Sequence, residues 1–214
     1  MKEIALKVCG MKFSENIASL AKLEPQYMGF IFYKKSPRYA AAELDLATLE
    51  TLPSGIKKVG VFVNATTEEI AGLCKKFGME VVQLHGHETP DQCLECKKLG
   101  YTVIKAFSMD ENFNFKVLAP YTEVCDFFLF DTKSPDYGGT GRTFNWEILK
   151  RYNNVLPFFL SGGIDGANIQ GIRELESMNI HAVDVNSKFE INPGLKDIEK
   201  IKSFKAQLKA IVHT

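Results

Sequence analysis

Several residues able to move protons or hold anions stand at the ends of short apolar runs in this chain. Cys9 closes the first run and precedes Gly10. Lys7, two residues back, shares its side of a strand, and a nearby cation would lower the thiol's pKa and make it a usable base. The plainer role for the same residue is a small buried hydrophobe. Asp131 ends the run Phe127-Phe128-Leu129-Phe130. A carboxylate there is costly unless paired or working, and burial would raise its pKa and suit it to donating a proton. Its alternative is to cap the turn through Thr132 or Lys133. Arg38 follows Ser36-Pro37. Its planar fork suits bidentate capture of a carboxylate, against the alternative of a solvated loop arginine.

Two further segments suit an anion. Ser161-Gly162-Gly163 leads toward Asp165, read as a helix start, and Asn186-Ser187-Lys188 follows the last apolar run, which carries Asp184. Glycine lets backbone N–H groups approach a phosphate closely, and a helix N-terminus favours negative charge. The same glycines would equally make a tight turn. His85 and His87 alternate without a third candidate nearby, which argues against a metal site, although His85 is placed to line a pocket. Cys93 and Cys96 fall within one helix and lack a second pair at zinc spacing. The glycine-rich stretch 136–142 reads as a lid loop and not as a dinucleotide fingerprint.

These residues need elements to bring them together. Eight apolar runs, rich in Val, Ile and Phe, read as strands over 4–9, 27–32, 57–62, 80–84, 102–107, 126–131, 156–161 and 181–186. Amphipathic stretches separate them. Thr66 with Glu69 forms a capping box, and Thr89 with Gln92 a second, with Pro90 at the first helical position. Phe13, Ile17, Leu20 and Ala21 stripe the first helix; Leu195, Ile198, Ile201 and Leu208 stripe the last. The stretch 112–122 has a poor helical period and contains Pro120, which predicts a short or missing helix between strands 5 and 6. Dividing 214 residues by eight gives about 27 per unit. Strand–helix alternation with no strand left over predicts a single (β/α)8 TIM barrel, one domain over 1–214. In that architecture the active site lies at the C-terminal ends of the strands, and phosphate often binds between the loops after strands 7 and 8.

The bulk numbers narrow the class. Lysine plus arginine equals aspartate plus glutamate, 26 each, so nothing marks a nucleic-acid binder, and capture of an anion must be local. No apolar run approaches the ~20 residues of a membrane span and no signal peptide opens the chain. Five irregularly spaced cysteines fit reduced thiols and a cytoplasmic protein.

Taken together, in order and each at a strand end, the segments Lys7-Val8-Cys9-Gly10, Ser36-Pro37-Arg38-Tyr39, Gln83-Leu84-His85-Gly86, Phe130-Asp131-Thr132, Gly138-Gly139-Thr140-Gly141, Leu160-Ser161-Gly162-Gly163-Ile164 and Val183-Asp184-Val185-Asn186-Ser187 resemble the phosphoribosylanthranilate isomerases of tryptophan biosynthesis. The resemblance runs from Lys7 to about Asp197. It implies an intramolecular oxidoreductase of the aldose–ketose type, without cofactor, acting on a small phosphorylated substrate. It implies Cys9 as general base, Asp131 as general acid and Arg38 on the anthranilate carboxylate. It places Gly162, Gly163, Asn186, Ser187 and Lys188 at the phosphate and Asp184 near the sugar. Lys188 departs from the family's usual glycine. That would alter the loop path if a positive φ were needed, or add a charge for the phosphate. Oligomeric state stays open between monomer and homodimer.

Two other readings share the phosphate loops. A histidine-pathway sugar isomerase would place an Asp at position 9 and a glycine loop after the third strand, where Asn64-Ala65-Thr66 has none. A non-catalytic phosphate-binding barrel would have no need of both Cys9 and Asp131.

Overall fold

The computed structural model describes residues 3–132 and 145–212. Eight parallel strands close into a barrel in the order β1 to β8. They are β1 (Ala5–Val8), β2 (Tyr27–Ile31), β3 (Lys57–Phe62), β4 (Val81–Leu84), β5 (Thr102–Met109), β6 (Phe127–Thr132), β7 (Phe158–Leu160) and β8 (Ile180–Val185). β1 pairs with β8 and closes the ring, with Lys7 opposite Asp184 in register. Among the described residues no helix is long and apolar enough to cross a membrane.

Alternation along the strands splits the core in two. Cys9, Val59, Val61, Val81, Ile104, Ala106, Leu129, Phe159 and Ala182 fill the barrel interior. Their outward neighbours, such as Leu6, Val8, Phe128, Phe130 and Val183, pack beneath the outer layer. Period two therefore fixes which residues can reach the mouth. Inward positions continued past the last interior layer are 9, 83, 85, 131, 161, 184 and 186.

The outer layer is uneven. α1 (Ser14–Ala21), α2 (Leu46–Glu50), α3 (Thr67–Phe77) and α4 (Pro90–Lys98) follow strands 1 to 4, and α5 (Ile198–Val212) follows strand 8. Thr66 forms the expected capping box: Glu69 N–H donates to its Oγ1, and its own N–H donates to Glu69 Oε2. At α4 only half the expected box forms. Gln92 N–H reaches Thr89 Oγ1, but the Gln92 amide donates to the Ala65 carbonyl at 2.7 Å, tying α4 to the preceding loop. Cys93 and Cys96 are buried, free thiols in that helix. Leu195 is not on the last helix; it lies in β10 (Leu195–Lys196), which pairs with β9 (Glu190–Asn192) in a hairpin after β8. Phe13 caps α1 and is exposed.

Between strands 5 and 6 the expected short element is a 3-10 helix, Phe115–Tyr121, containing Pro120. Among the described residues, the strands 6–7 and 7–8 connections also carry 3-10 helices, Trp146–Arg151 and Ile169–Leu175. Large rings fill the space on the strand 5–7 side. Phe107, Phe113, Phe115, Phe128, Phe130, Tyr152 and Phe158 form a continuous aromatic layer, with edge-to-face pairs such as Phe107–Tyr121 and Phe130–Tyr152.

Candidate active site

One cleft of about 780 Å³, its open mouth included, lies at the C-terminal ends of the strands. Cys9, Arg38, His85, Asp131, Gly162, Gly163, Asp184, Asn186, Ser187 and Lys188 all line it, together with Gln83 and Ser161. The structure thus brings together the candidate acid, base and binding residues, but not His87, which lines a separate surface pocket with Glu88 and Asn64, nor Asp165; the segment 136–142 lies outside the described residues.

On one wall, Lys7 Nζ sits 2.9 Å from Asp184 Oδ2, both side chains buried. Burial pulls the Lys7 ammonium down, but Asp184 and Cys9 outweigh it and its pKa stands raised. Burial pushes the Asp184 carboxyl up despite Lys7. Asp184 Oδ1 is buried with no hydrogen-bond partner, so a cleft-lining acceptor is left unsatisfied. Cys9 departs from expectation. Lys7 does favour its thiolate, but burial is the larger influence and the thiol's pKa is raised, not lowered. Gly29 on β2 makes room for this sulfur: a Cβ there would lie 2.7 Å from Cys9 Sγ.

Across the cleft stands Asp131. It is not buried as expected; its side chain is 25% exposed to the cleft. Oδ1 accepts from Thr132 N–H, and Oδ2 lies 3.4 Å from His85 Nε2. Gln83 Nε2 meets His85 Nδ1 at 2.9 Å. With Gln83 as donor, the imidazole proton sits on Nε2 and faces Asp131. Gln83 is 1% exposed and was not among the expected site residues, although the alternation from His85 points to it.

The anion side is built from two loops. Gly162 and Gly163 take φ of 91° and 65°, a region open to glycine. A Cβ on Gly162 would also collide with Thr132 Oγ1. The helix start expected at Asp165 is absent. Asp165 and Asn168 close a side-chain turn on each other's N–H groups, and the 3-10 helix begins at Ile169. Lys188 lies in the 3-10 turn Ser187–Phe189 and has no positive φ, so replacing glycine strains nothing.

Arg38 is neither solvated nor waiting with an open fork. It is 8% exposed, and its Nε and Nη2 already hold Glu190 at 2.7–3.0 Å. Gly10, at φ 78°, lets Arg38 and Asn186 close over it; a Cβ there would lie 2.7 Å from Asn186 Oδ1. Glu190 and Lys196 were also missed by reading the sequence.

Against known proteins, the family model described as N-(5'-phosphoribosyl)anthranilate isomerase matches residues 6–207. The chain belongs to the phosphoribosylanthranilate isomerase family. An N-(5'-phosphoribosyl)anthranilate isomerase from Parabacteroides distasonis is 42% identical over 206 residues, covering 95% of this chain and 92% of its own. The phosphoribosylanthranilate isomerase of Thermotoga maritima superposes with TM-score 0.84 at 33% identity, over 97% of this chain and 99% of that one. A second isomerase structure of the family, solved with reduced 1-(o-carboxyphenylamino)-1-deoxyribulose 5-phosphate, gives TM-score 0.82 at 30% identity, covering 97% of this chain and 99% of that one.

Proposed function

We propose that this phosphoribosylanthranilate isomerase fold converts N-(5-phosphoribosyl)anthranilate into 1-(2-carboxyphenylamino)-1-deoxyribulose 5-phosphate, with Asp131 as general acid and Cys9 as general base, the whole chain 1–214 acting as one cytoplasmic catalytic domain. The observation that carries this reading is that the two groups line one cleft together with the Gly162-Gly163 and Asn186–Lys188 loops. Asp131, oriented by His85, delivers a proton to the ribose ring oxygen. The C1′–O bond breaks as the anthranilate nitrogen's lone pair forms the C1′=N bond of a protonated Schiff base. The Cys9 thiolate, favoured by Lys7, then removes the C2′ proton. The C–H electrons form C1′=C2′, and the C=N pair returns to nitrogen, giving an enolamine. Tautomerisation moves the C2′ hydroxyl proton to C1′ and leaves the ketone. Both catalysed steps are proton transfers, so one acid and one base suffice.

The rest of the cleft supports binding. Arg38 is offered to the anthranilate carboxylate, the two loops and Lys188 to the phosphate, and the unpartnered Oδ1 of Asp184 to a sugar hydroxyl. The test generates phosphoribosylanthranilate in situ and follows loss of its fluorescence. Fast decay that a Cys9→Ala variant lacks supports reaction and base together. No decay with folded protein overturns the reading.

A further inference from the structure

Behind Arg38 and Asn186 on the cleft wall lies a buried ion pair, Glu190 and Lys196, to which the mechanism gives no role. Glu190, in β9, has a side chain 5% exposed and does not line the cleft. Its Oε1 accepts from Arg38 Nε at 2.9 Å, Gly194 N–H at 3.0 Å and Lys196 Nζ at 2.7 Å; its Oε2 accepts from Arg38 Nη2 at 2.7 Å. Lys196 Nζ also donates to Asn186 Oδ1 at 2.7 Å. The backbone of Lys196 is fixed in turn by the Asn16 amide of α1, which donates to its carbonyl and accepts from its N–H.

A guanidinium has two usable edges: side-on, through Nε and the Nη beside it, and end-on, through its two Nη groups. Glu190 occupies the side-on edge of Arg38. What remains for an outside carboxylate is the end-on edge, with Nη1 unpartnered among the described residues. We propose that Glu190, braced by Lys196, is a positioning residue: it turns Arg38 so that its end-on edge meets the carboxylate of the substrate, while Lys196 sets the Asn186 amide beside it. The cluster holds two cations against one carboxylate, so it keeps a surplus positive charge for an anionic ligand even though Glu190 neutralises part of it. This rests on the isomerase reading above and adds to it which residues aim the arginine.

A merely structural cluster would shift stability alone, so the test reads kinetics in a double-mutant cycle. Wild-type turnover is the control: its absence overturns the isomerase reading and this proposal with it, whereas unaffected variants of an active wild type overturn this proposal alone. With wild type active, Glu190→Gln, which keeps shape and removes charge, raises KM about tenfold or more with kcat within about threefold. Glu190→Asp, which keeps the counter-charge for folding but draws it back by a methylene, shows the same split and carries the test alone if Glu190→Gln does not fold. In an Arg38→Ala background neither substitution raises KM further. A wild-type KM in a folded Glu190 variant, or KM effects that multiply with Arg38→Ala, would overturn the proposal.

Discussion

Cys9 sits at the bottom of a cleft in surroundings that disfavour its charge, and Lys7 is the group that offsets them. Cys9→Ser and Asp131→Asn should each leave the far-ultraviolet spectrum unchanged and lower kcat by at least ~10²-fold, the scale of lost acid–base catalysis. Near-normal turnover in either would remove that residue from the mechanism. In the proposed mechanism the base is the thiolate, so activity should rise as pH rises through the Cys9 pKa, and burial displaces that limb upward. Lys7→Met removes the main influence favouring the thiolate and moves the limb higher still. The deficit relative to wild type should therefore be large at neutral pH and shrink as pH is raised; an equal deficit at every pH would assign Lys7 another role. Lys188→Gly removes the cation at the last loop without touching the acid or base. KM should rise several-fold with kcat little changed, and an unchanged KM would show that this charge does not meet the phosphate.

At the scale of elements, the loop after β4 carries His85 and is held by a buried knot. Lys105 Nζ, on the outward face of β5, donates to the carbonyls of Leu84, Gly86 and Ala106 and pairs with Glu88 at 3.1 Å. Glu88 in turn accepts from the N–H groups of Asn64 and Gly86. Lys105→Met should lower unfolding free energy by about 3–5 kcal/mol, because it strands a buried carboxylate. Urea denaturation would measure this, and a loss below about 1 kcal/mol would show that the loop does not depend on the pair. Legibility follows the same lines. Strand ends are local features, so period two from apolar runs was enough to bring Cys9, His85, Asp131, Asp184 and Asn186 to one mouth. Gln83 lay within reach of that rule. Glu190 and Lys196 did not: Glu190 is 152 residues from Arg38, beside the exposed Ile191, and nothing local marks it as buried. At Cys9 only one of the two influences is local: its cation is two residues away, whereas its desolvation comes from the barrel interior as a whole. At Asp165 the reciprocal side-chain bonds with Asn168 are those of a helix N-terminal box, yet only a turn and then the 3-10 helix Ile169–Leu175 follow; nothing in the structure explains why the helix goes no further.

For the whole molecule, the described strand ends of a single chain bring Cys9, Asp131 and the loops after β7 and β8 to one cleft. We expect each copy to work on its own, whether as a monomer or within a homodimer. Specific activity should accordingly stay constant on dilution through the concentration at which any dimer dissociates, measured beside sedimentation velocity. A fall that tracks dissociation would mean that a second copy contributes to the working site.

The pairing of β1 with β8 sets Lys7 beside Asp184, joining opposite ends of the chain's order of synthesis. A ribosome releases β1 well before β8, so until β8 emerges the nascent chain has Cys9 and Lys7 without Asp184 and Asn186. Long-range closure of this kind is slow to form, and we expect no turnover from a chain that stops before β8, which would lack Asp184 and the Asn186–Lys188 loop.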